Sequence, residues 1–389
     1  FFPSTLKKVD HLMRLANLKR TGRLMLICSI GLNNLAKNYM KLYRLTKFVL
    51  SISLISSISL NAQNTIYAKF ETPQVTITGN ADDPAIWVNE LEPNFSIVFG
   101  TDKYNGIYSY NLKGEVIGFA SAGRINNLDI RTINDTNYFF GTNTGSNTVD
   151  LWIYKDSVLI NAAKAKKFAL SDKSEHSEKT NFLAYGICAG ITAKNEIIAF
   201  VTEAKGPRIQ LWKFDNDNLN LLATFNNDNA SESEGCVFDD ENMTLFVSEE
   251  NARGIIRSYR LTNTFELTDM VKIDDRQRNI VGDPEGLALY KTSKNDGYLV
   301  ASSQGNNTFN IYQRKYPHDF ISSFVVGDSD LIDGVNDTDG IEIKNNYFNE
   351  DFPNGIIVVQ DGKNTGNVIK SKENFKYISL DQLQHILVL

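Results

Sequence analysis

The sequence predicts an all-β chain folded as a six-bladed β-propeller, and three features of residues 63–389 carry that expectation. Short runs of Val, Ile, Phe and Tyr alternate with Asn, Asp and Gly turns, and no 3.6-residue periodicity persists, as an all-β chain requires. One strand-turn element recurs six times. Ahead of each copy stands a further run that is polar or acidic at its start and aliphatic after it.

The recurring element is a strand ending in a small or polar residue and then a polar or acidic one: VFGTDKYNG (98–106), FFGTNTGSN (139–147), AFVTEAKG (199–206), LFVSEENARG (245–254), LVASSQGNN (299–307) and IVVQDGKN (357–364). In the first five copies a Gly/Asn turn leads into a strand ending in an aromatic (IYSY, VDLWIY, IQLWKF, IIRSY, FNIY), so each pair is a hairpin. The preceding runs are DDPAIWV (82–88), NNLDIRT (126–132), AYGICAG (184–190), SEGCVF (233–238), DPEGLALY (283–290) and DTDGIEI (337–343). The anchors Thr101, Thr142, Thr202, Ser248, Ser302 and Gln360 are spaced 41, 60, 46, 54 and 58 apart. Such periods suit four-stranded blades of roughly 40–50 residues. A β-sandwich also has short strands and regular turns, but it does not explain a polar start on the same strand of every unit. In a propeller those starts line the axis and converge on one mouth of the channel. The segment 65–79 is placed to close the ring by adding to the last blade.

Ahead of the repeats, Met40 opens a secretory signal peptide: basic Lys41, Arg44 and Lys47, a 13-residue apolar run from Phe48 to Leu60, and a small residue, Ala62, before Gln63. The run is short of the ~20 residues a spanning helix needs. Residues 1–39 read as a misassigned gene start, and helix is expected mainly within 1–62. Residues 1–62 hold ten of the 40 Lys/Arg and one of the 46 Asp/Glu, so the exported propeller carries 30 basic against 45 acidic residues, a net charge of −15. That sign excludes nucleic acid and anionic membranes as partners and favours cations, or anions that arrive with cations. The expected product is a secreted or periplasmic monomer. Cys188 and Cys236 each follow a glycine-led apolar strand and read as buried free thiols.

Superimposing the six units stacks carboxylates. The inner-strand starts contribute Asp82, Asp83, Asp129, Tyr185, Glu234, Asp283, Glu285, Asp337 and Asp339, and the second-strand ends contribute Asp102, Glu203, Glu249, Glu250, Gln304 and Asp361. So many negative groups in one mouth oppose folding unless cations neutralise them. Oxygen ligands without His or Cys are what calcium selects. Lys103, Arg131, Lys205 and Lys376 punctuate the same loops and suit phosphate oxygens. None of the four histidines lies in an Arg-His-Gly context, and no cysteine is followed six residues later by arginine, which excludes the covalent histidine and cysteine phosphatase signatures. What remains is metal-assisted hydrolysis by a metal-bound water.

These motifs resemble the β-propeller phytases, the alkaline, calcium-dependent family. DDPAIWV, NNLDIR, YGI, SEG, VSEEN, DPEGLALY, GYLVASSQGNNTFNIYQR, DTDGIEI and FPNGIIVVQDGKN run in family order over about residues 75–378. The resemblance implies a six-bladed fold with several calcium ions at one face, hydrolysing phosphate monoesters of myo-inositol hexakisphosphate at a cleavage site beside an affinity site for a neighbouring phosphate. By motif position it implies that Asp83, Tyr185, Glu234, Glu249, Asp283, Glu285 and Asp339 bind calcium and water, with Glu234, Tyr185, Asp83 and Glu249 closest to the chemistry. Lys103, Arg131 and Lys205 then hold phosphate. Asp337 and Glu342 hold a further calcium, and Gln304, Asn306, Asp361 and Lys376 contribute at the mouth, with Asp361 also a metal ligand. A calcium-dependent propeller lactonase or esterase remains the alternative enzyme, with one central metal and no ring of lysines. A non-catalytic calcium-stabilised binding module would keep polyanion affinity without releasing phosphate.

Overall fold

The computed structural model describes residues 63–76, 79–250, 253–365 and 372–387; the expected signal peptide and the segment before it lie outside them. The described strands form six sheets. Blade one is Ala81–Trp87, Ile97–Asp102, Gly106–Tyr110 and Val116–Ala120; blade two is Ile125–Ile133, Thr136–Asn143, Thr148–Lys155 and His176–Lys179. Blade three is Ala184–Ile191, Ile197–Glu203, Arg208–Asp215 and Asn218–Asn226; blade four is Ser233–Asp239, Thr244–Glu249, Ile255–Leu261 and Leu267–Asp274. Blade five runs from Leu287–Lys291 through Gly297–Ser303 and Thr308–Gln313 to Phe320–Gly327, and blade six from Ile341–Lys344 through Ile356–Asn364 to Lys372–Ser379. The first strand of each blade contacts that of the next, and the sixth returns to the first, which closes a propeller around an axis. Two short helices, Asp156–Lys164 and Asp381–Leu387, attach to the propeller, outside the segment 1–62 where most helix is expected.

Side-chain hydrogen bonds join neighbouring blades through the repeat's anchors. Thr101 Oγ1 donates to Asn126 O at 2.7 Å, Thr142 Oγ1 to Tyr185 O, Thr202 Oγ1 to Ser233 O at 2.6 Å and Ser248 Oγ to Glu285 O at 2.8 Å. Ser302 Oγ donates to Asp339 O at 3.1 Å, and Gln360 Nε2 closes the circle on Ala81 O at 3.2 Å. Each bond carries a donor from the second strand of one blade to the inner strand of the next or to the residues leading into it. Leaving such a buried carbonyl unpaired would cost about 1–3 kcal/mol, which explains why every unit keeps a donor there. The glycines of YG and EG have the same origin: a Cβ on Gly186 would lie 1.7 Å from Glu234 O, and one on Gly235 would lie 1.8 Å from Glu285 O. Between blades, aromatic rings fill the core, as with Phe99 and Phe139 (centroids 5.1 Å apart) and Phe200 and Phe238 (5.3 Å).

Ring closure follows the expectation and adds to it. Phe70–Glu71 pairs antiparallel with Lys372–Ser379 and supplies the sixth blade's outermost strand. Asn64–Tyr67 instead pairs parallel with Phe320–Gly327 and gives blade five a fifth strand. The two cysteines are not free thiols. Cys188 and Cys236 form a disulfide between the inner strands of blades three and four, across a Cα–Cα distance of 5.6 Å. Their positions in neighbouring inner strands bring them together, a juxtaposition invisible without the inter-blade register.

Candidate active site

The inner strands of blades one to four share one irregularity near their first residues: pairing shifts between Ala81 and Pro84, Ile125 and Leu128, Ala184 and Ile187, and Ser233 and Cys236. A bulge re-aims the residue it carries. Here it falls at Asp82, Asn126, Tyr185 and Glu234, and the matching positions of blades five and six are Glu285 and Asp339. One polar residue from each blade thus forms a ring at the mouth.

Lys103, from the first hairpin, enters this ring. Its ammonium lies 2.9 Å from Asp82, 3.7 Å from Glu234 and 3.9 Å from Asp339. Burial opposes its charge, but Asp82, Glu234 and Asp339 outweigh that and raise its pKa. Glu250, one residue beyond the fourth blade's second strand, completes the group: carboxylate oxygens of Glu234, Glu250 and Glu285 all lie within 4.8 Å of one another.

One lysine cannot neutralise five carboxyls. Burial opposes ionisation of Glu234, yet Lys103 and hydrogen bonds involving Asn126, Tyr185 and Glu250 hold its carboxyl below the usual range. Burial and the Glu234 charge push Glu250 up to about 10. Burial, opposed by Lys103 and reinforced by Glu234, brings Asp339 to about 6, with Gln304 Nε2 donating to its Oδ1 at 2.7 Å. Burial likewise raises Asp82 and Glu285, and it raises the Tyr185 hydroxyl beside Glu234. Asp82 Oδ2, Glu250 Oε1 and Glu285 Oε2 are buried and accept no hydrogen bond. Buried, unsatisfied, hard oxygen donors converging from several strands fit a calcium-type cation.

Of the residues singled out by sequence, the structure brings Tyr185, Glu234, Glu285, Asp339, Lys103 and Gln304 together. Others lie elsewhere. Asp83 turns toward blade two, where its Oδ2 accepts Leu128 N–H at 3.1 Å, and Asp82 takes the mouth. Glu249 is fully buried against Arg257 (2.8 Å) and Arg253 (3.0 Å), and Glu250 takes the mouth. Arg131 sits farther along its inner strand between Asp129 (2.9 Å) and Asp240 (3.1 Å), and with Glu342 it lines a separate cavity of about 720 Å³. Lys376 is fully buried and ion-paired with Glu71, Asp333 and, at 3.5 Å, Asp361, so its charge is already matched within the sixth blade and its closing strand. Asp283 pairs with Arg276 and Asp337 with Lys363; Asn306 accepts from Thr308 Oγ1 at 2.8 Å within its own turn. Lys205 is exposed on the third hairpin. Asn126, the second blade's contribution, was missed because an amide among carboxylates carries no charge signal.

A closed six-bladed propeller whose one mouth gathers buried carboxyls around a lysine defines the class: a β-propeller with an acidic, cation-adapted site. The chain belongs to the phytase family, whose model matches residues 36–388. It is 30% identical over 329 residues to the 3-phytase of Bacillus subtilis (strain 168), covering 79% of this chain and 81% of that protein. A functionally unknown protein of Desulfotomaculum acetoxidans DSM 771 is similar in structure (14% identity, 63% of this chain and 71% of that chain, TM-score 0.43). So is the periplasmic gluconolactonase PpgL of Pseudomonas aeruginosa (12% identity, 60% and 67%, TM-score 0.41). Neither structural likeness bears on activity. Family membership makes the chain a hydrolase of the phosphatase class.

Proposed function

We propose that this chain hydrolyses phosphate monoesters of myo-inositol hexakisphosphate at the ring mouth in a calcium-dependent reaction. The observation that carries the reading is the buried trio Glu234, Glu250 and Glu285, whose oxygens lie within 4.8 Å of one another beside Lys103. Asp82, Glu250, Glu285 and Asp339 are the residues to hold calcium, which when bound neutralises them, polarises the phosphoryl group and acidifies water. Glu234 is the proton acceptor. It is kept ionised by Lys103 and aimed by Asn126 and Tyr185. Lys103, in the ring beside Asp82 and Glu234, offers its ammonium to phosphoryl oxygens.

We further propose that the protein works outside the cytoplasm. The Cys188–Cys236 disulfide suits an oxidising compartment, and the basic-then-apolar pattern of residues 40–62 suits export. The substrate reading is tested by phosphate release from phytate after chelation and after calcium is restored, with a sugar lactone as control. Calcium-restored release supports it. Lactone opening without phosphate release favours the lactonase alternative and overturns it.

A further inference from the structure

Several cations around the mouth are already matched by nearby acids. Arg208 pairs with Glu203 (2.9 Å), Arg253 with Glu249, Arg276 with Asp283 and Lys363 with Asp337. Arg124 differs, as the exposed Lys205 does: its guanidinium has no carboxylate partner among the described residues. Its side chain is exposed yet placed. The guanidinium carbon stands 5.6 Å from the centroid of the Tyr104 ring. The backbone carbonyl of Arg124 accepts the Thr144 N–H at 2.9 Å and the Thr144 hydroxyl at 3.2 Å, which pins the residue to the second blade's hairpin. A Cβ on Gly145 would lie 3.4 Å from Arg124 Cβ and Cδ, so the stem runs along that glycine.

Two links set this arginine beside the ring. Tyr104 follows Lys103, the ring's own cation. Arg124 is two residues, about 7 Å of strand, from Asn126, which donates to Glu234. A guanidinium stacked on an aromatic face keeps its planar N–H edge free, and that edge matches two phosphate oxygens at once. An inositol polyphosphate with one phosphate in the mouth carries others on adjacent ring carbons.

We propose that Arg124, steadied by Tyr104, is a further substrate-binding residue that takes a second phosphate of the polyphosphate and so sets preference for polyphosphates over single phosphate esters. The inference rests on the phytase reading above. Its test compares kcat/KM on phytate and on 4-nitrophenyl phosphate, in calcium, for Arg124→Ala, Arg124→Lys, Tyr104→Ala and Lys113→Ala, each checked for an unchanged melting temperature. Lys113 is exposed at the turn between the third and fourth strands of blade one and serves as the control.

Arg124→Ala should lower the phytate-to-ester ratio about tenfold, through KM for phytate. Arg124→Lys should keep part of the ratio, because an ammonium supplies charge without the bidentate edge, and Tyr104→Ala should lose part of it. Lys113→Ala should leave it unchanged. An unchanged ratio in Arg124→Ala, equal losses on both substrates, or a loss confined to kcat overturns the inference. Failure of the underlying reading is distinguishable, since the unmodified protein would then release no phosphate from phytate.

Discussion

Removing the Cys188–Cys236 bond should cost stability in an amount the structure allows to be worked out. The two cysteines are 48 residues apart in sequence. Closing a loop of that length removes about 14 cal/mol/K of entropy from the unfolded chain, about 4 kcal/mol at 25 °C. The propeller spans roughly 330 residues, whose unfolding entropy near the midpoint sums to about 0.7 kcal/mol/K, so 4 kcal/mol corresponds to a fall of ~6 °C in melting temperature. The assay is thermal unfolding of the Cys188→Ala/Cys236→Ala double variant beside the unmodified protein, both in saturating calcium, with thiol labelling under denaturing conditions. The unmodified protein should leave Cys188 and Cys236 unlabelled and melt about 6 °C above the variant. If both cysteines label and the melting temperatures coincide within a degree, the bond does not exist and the assignment of the thiols fails. The bond lies three residues past Tyr185 and two past Glu234, so it ties together the strands that carry them.

Two further outcomes follow from the buried charges. In chelator, Glu250 titrates near 10 and Asp339 near 6, while the same groups in the unfolded chain titrate near 4. The folded protein therefore binds more protons than the unfolded one across that window, and stability must fall as pH rises through it. Melting temperature in chelator should decline from about pH 5 to about pH 9, and saturating calcium should remove the slope; a flat chelated profile would show that these carboxyls are not confined together. Lys376→Met should destabilise the protein by about 3–5 kcal/mol in denaturant unfolding, because it strands Asp333, Asp361 and Glu71 without their cation. A large rise in KM with unaltered stability would instead restore Lys376 to the substrate contacts.

The blade repeat was legible because inter-blade bonding imposes it. Each unit must place a donor where Thr101, Thr142 or Ser248 stands, and blades three to six each place a glycine (Gly186, Gly235, Gly286, Gly340) where the next backbone approaches. The same logic carried Tyr185, Glu234, Glu285 and Asp339 to the ring, each beside such a glycine. Less legible was the choice between adjacent acids. Side chains alternate along a strand, and a bulge resets the count, so Asp82 rather than Asp83 faced the mouth. Glu250 took that place from Glu249 because a buried arginine, Arg257, claimed its neighbour. Arg131 and Glu342 share inner strands with ring residues but lie farther along them, a distance that motif position alone does not show. Lys376 was buried by Glu71, which arrives from the other end of the propeller in the closing strand.

The most direct test of the central claim is phytate turnover by Glu234→Gln in saturating calcium, measured together with the calcium-induced rise in its melting temperature. The account predicts a fall in kcat of about 100-fold or more, as for loss of a general base. Calcium should still raise the melting temperature, because Asp82, Glu250, Glu285 and Asp339 remain to bind it. Full turnover by Glu234→Gln would contradict the account and place the chemistry away from the ring.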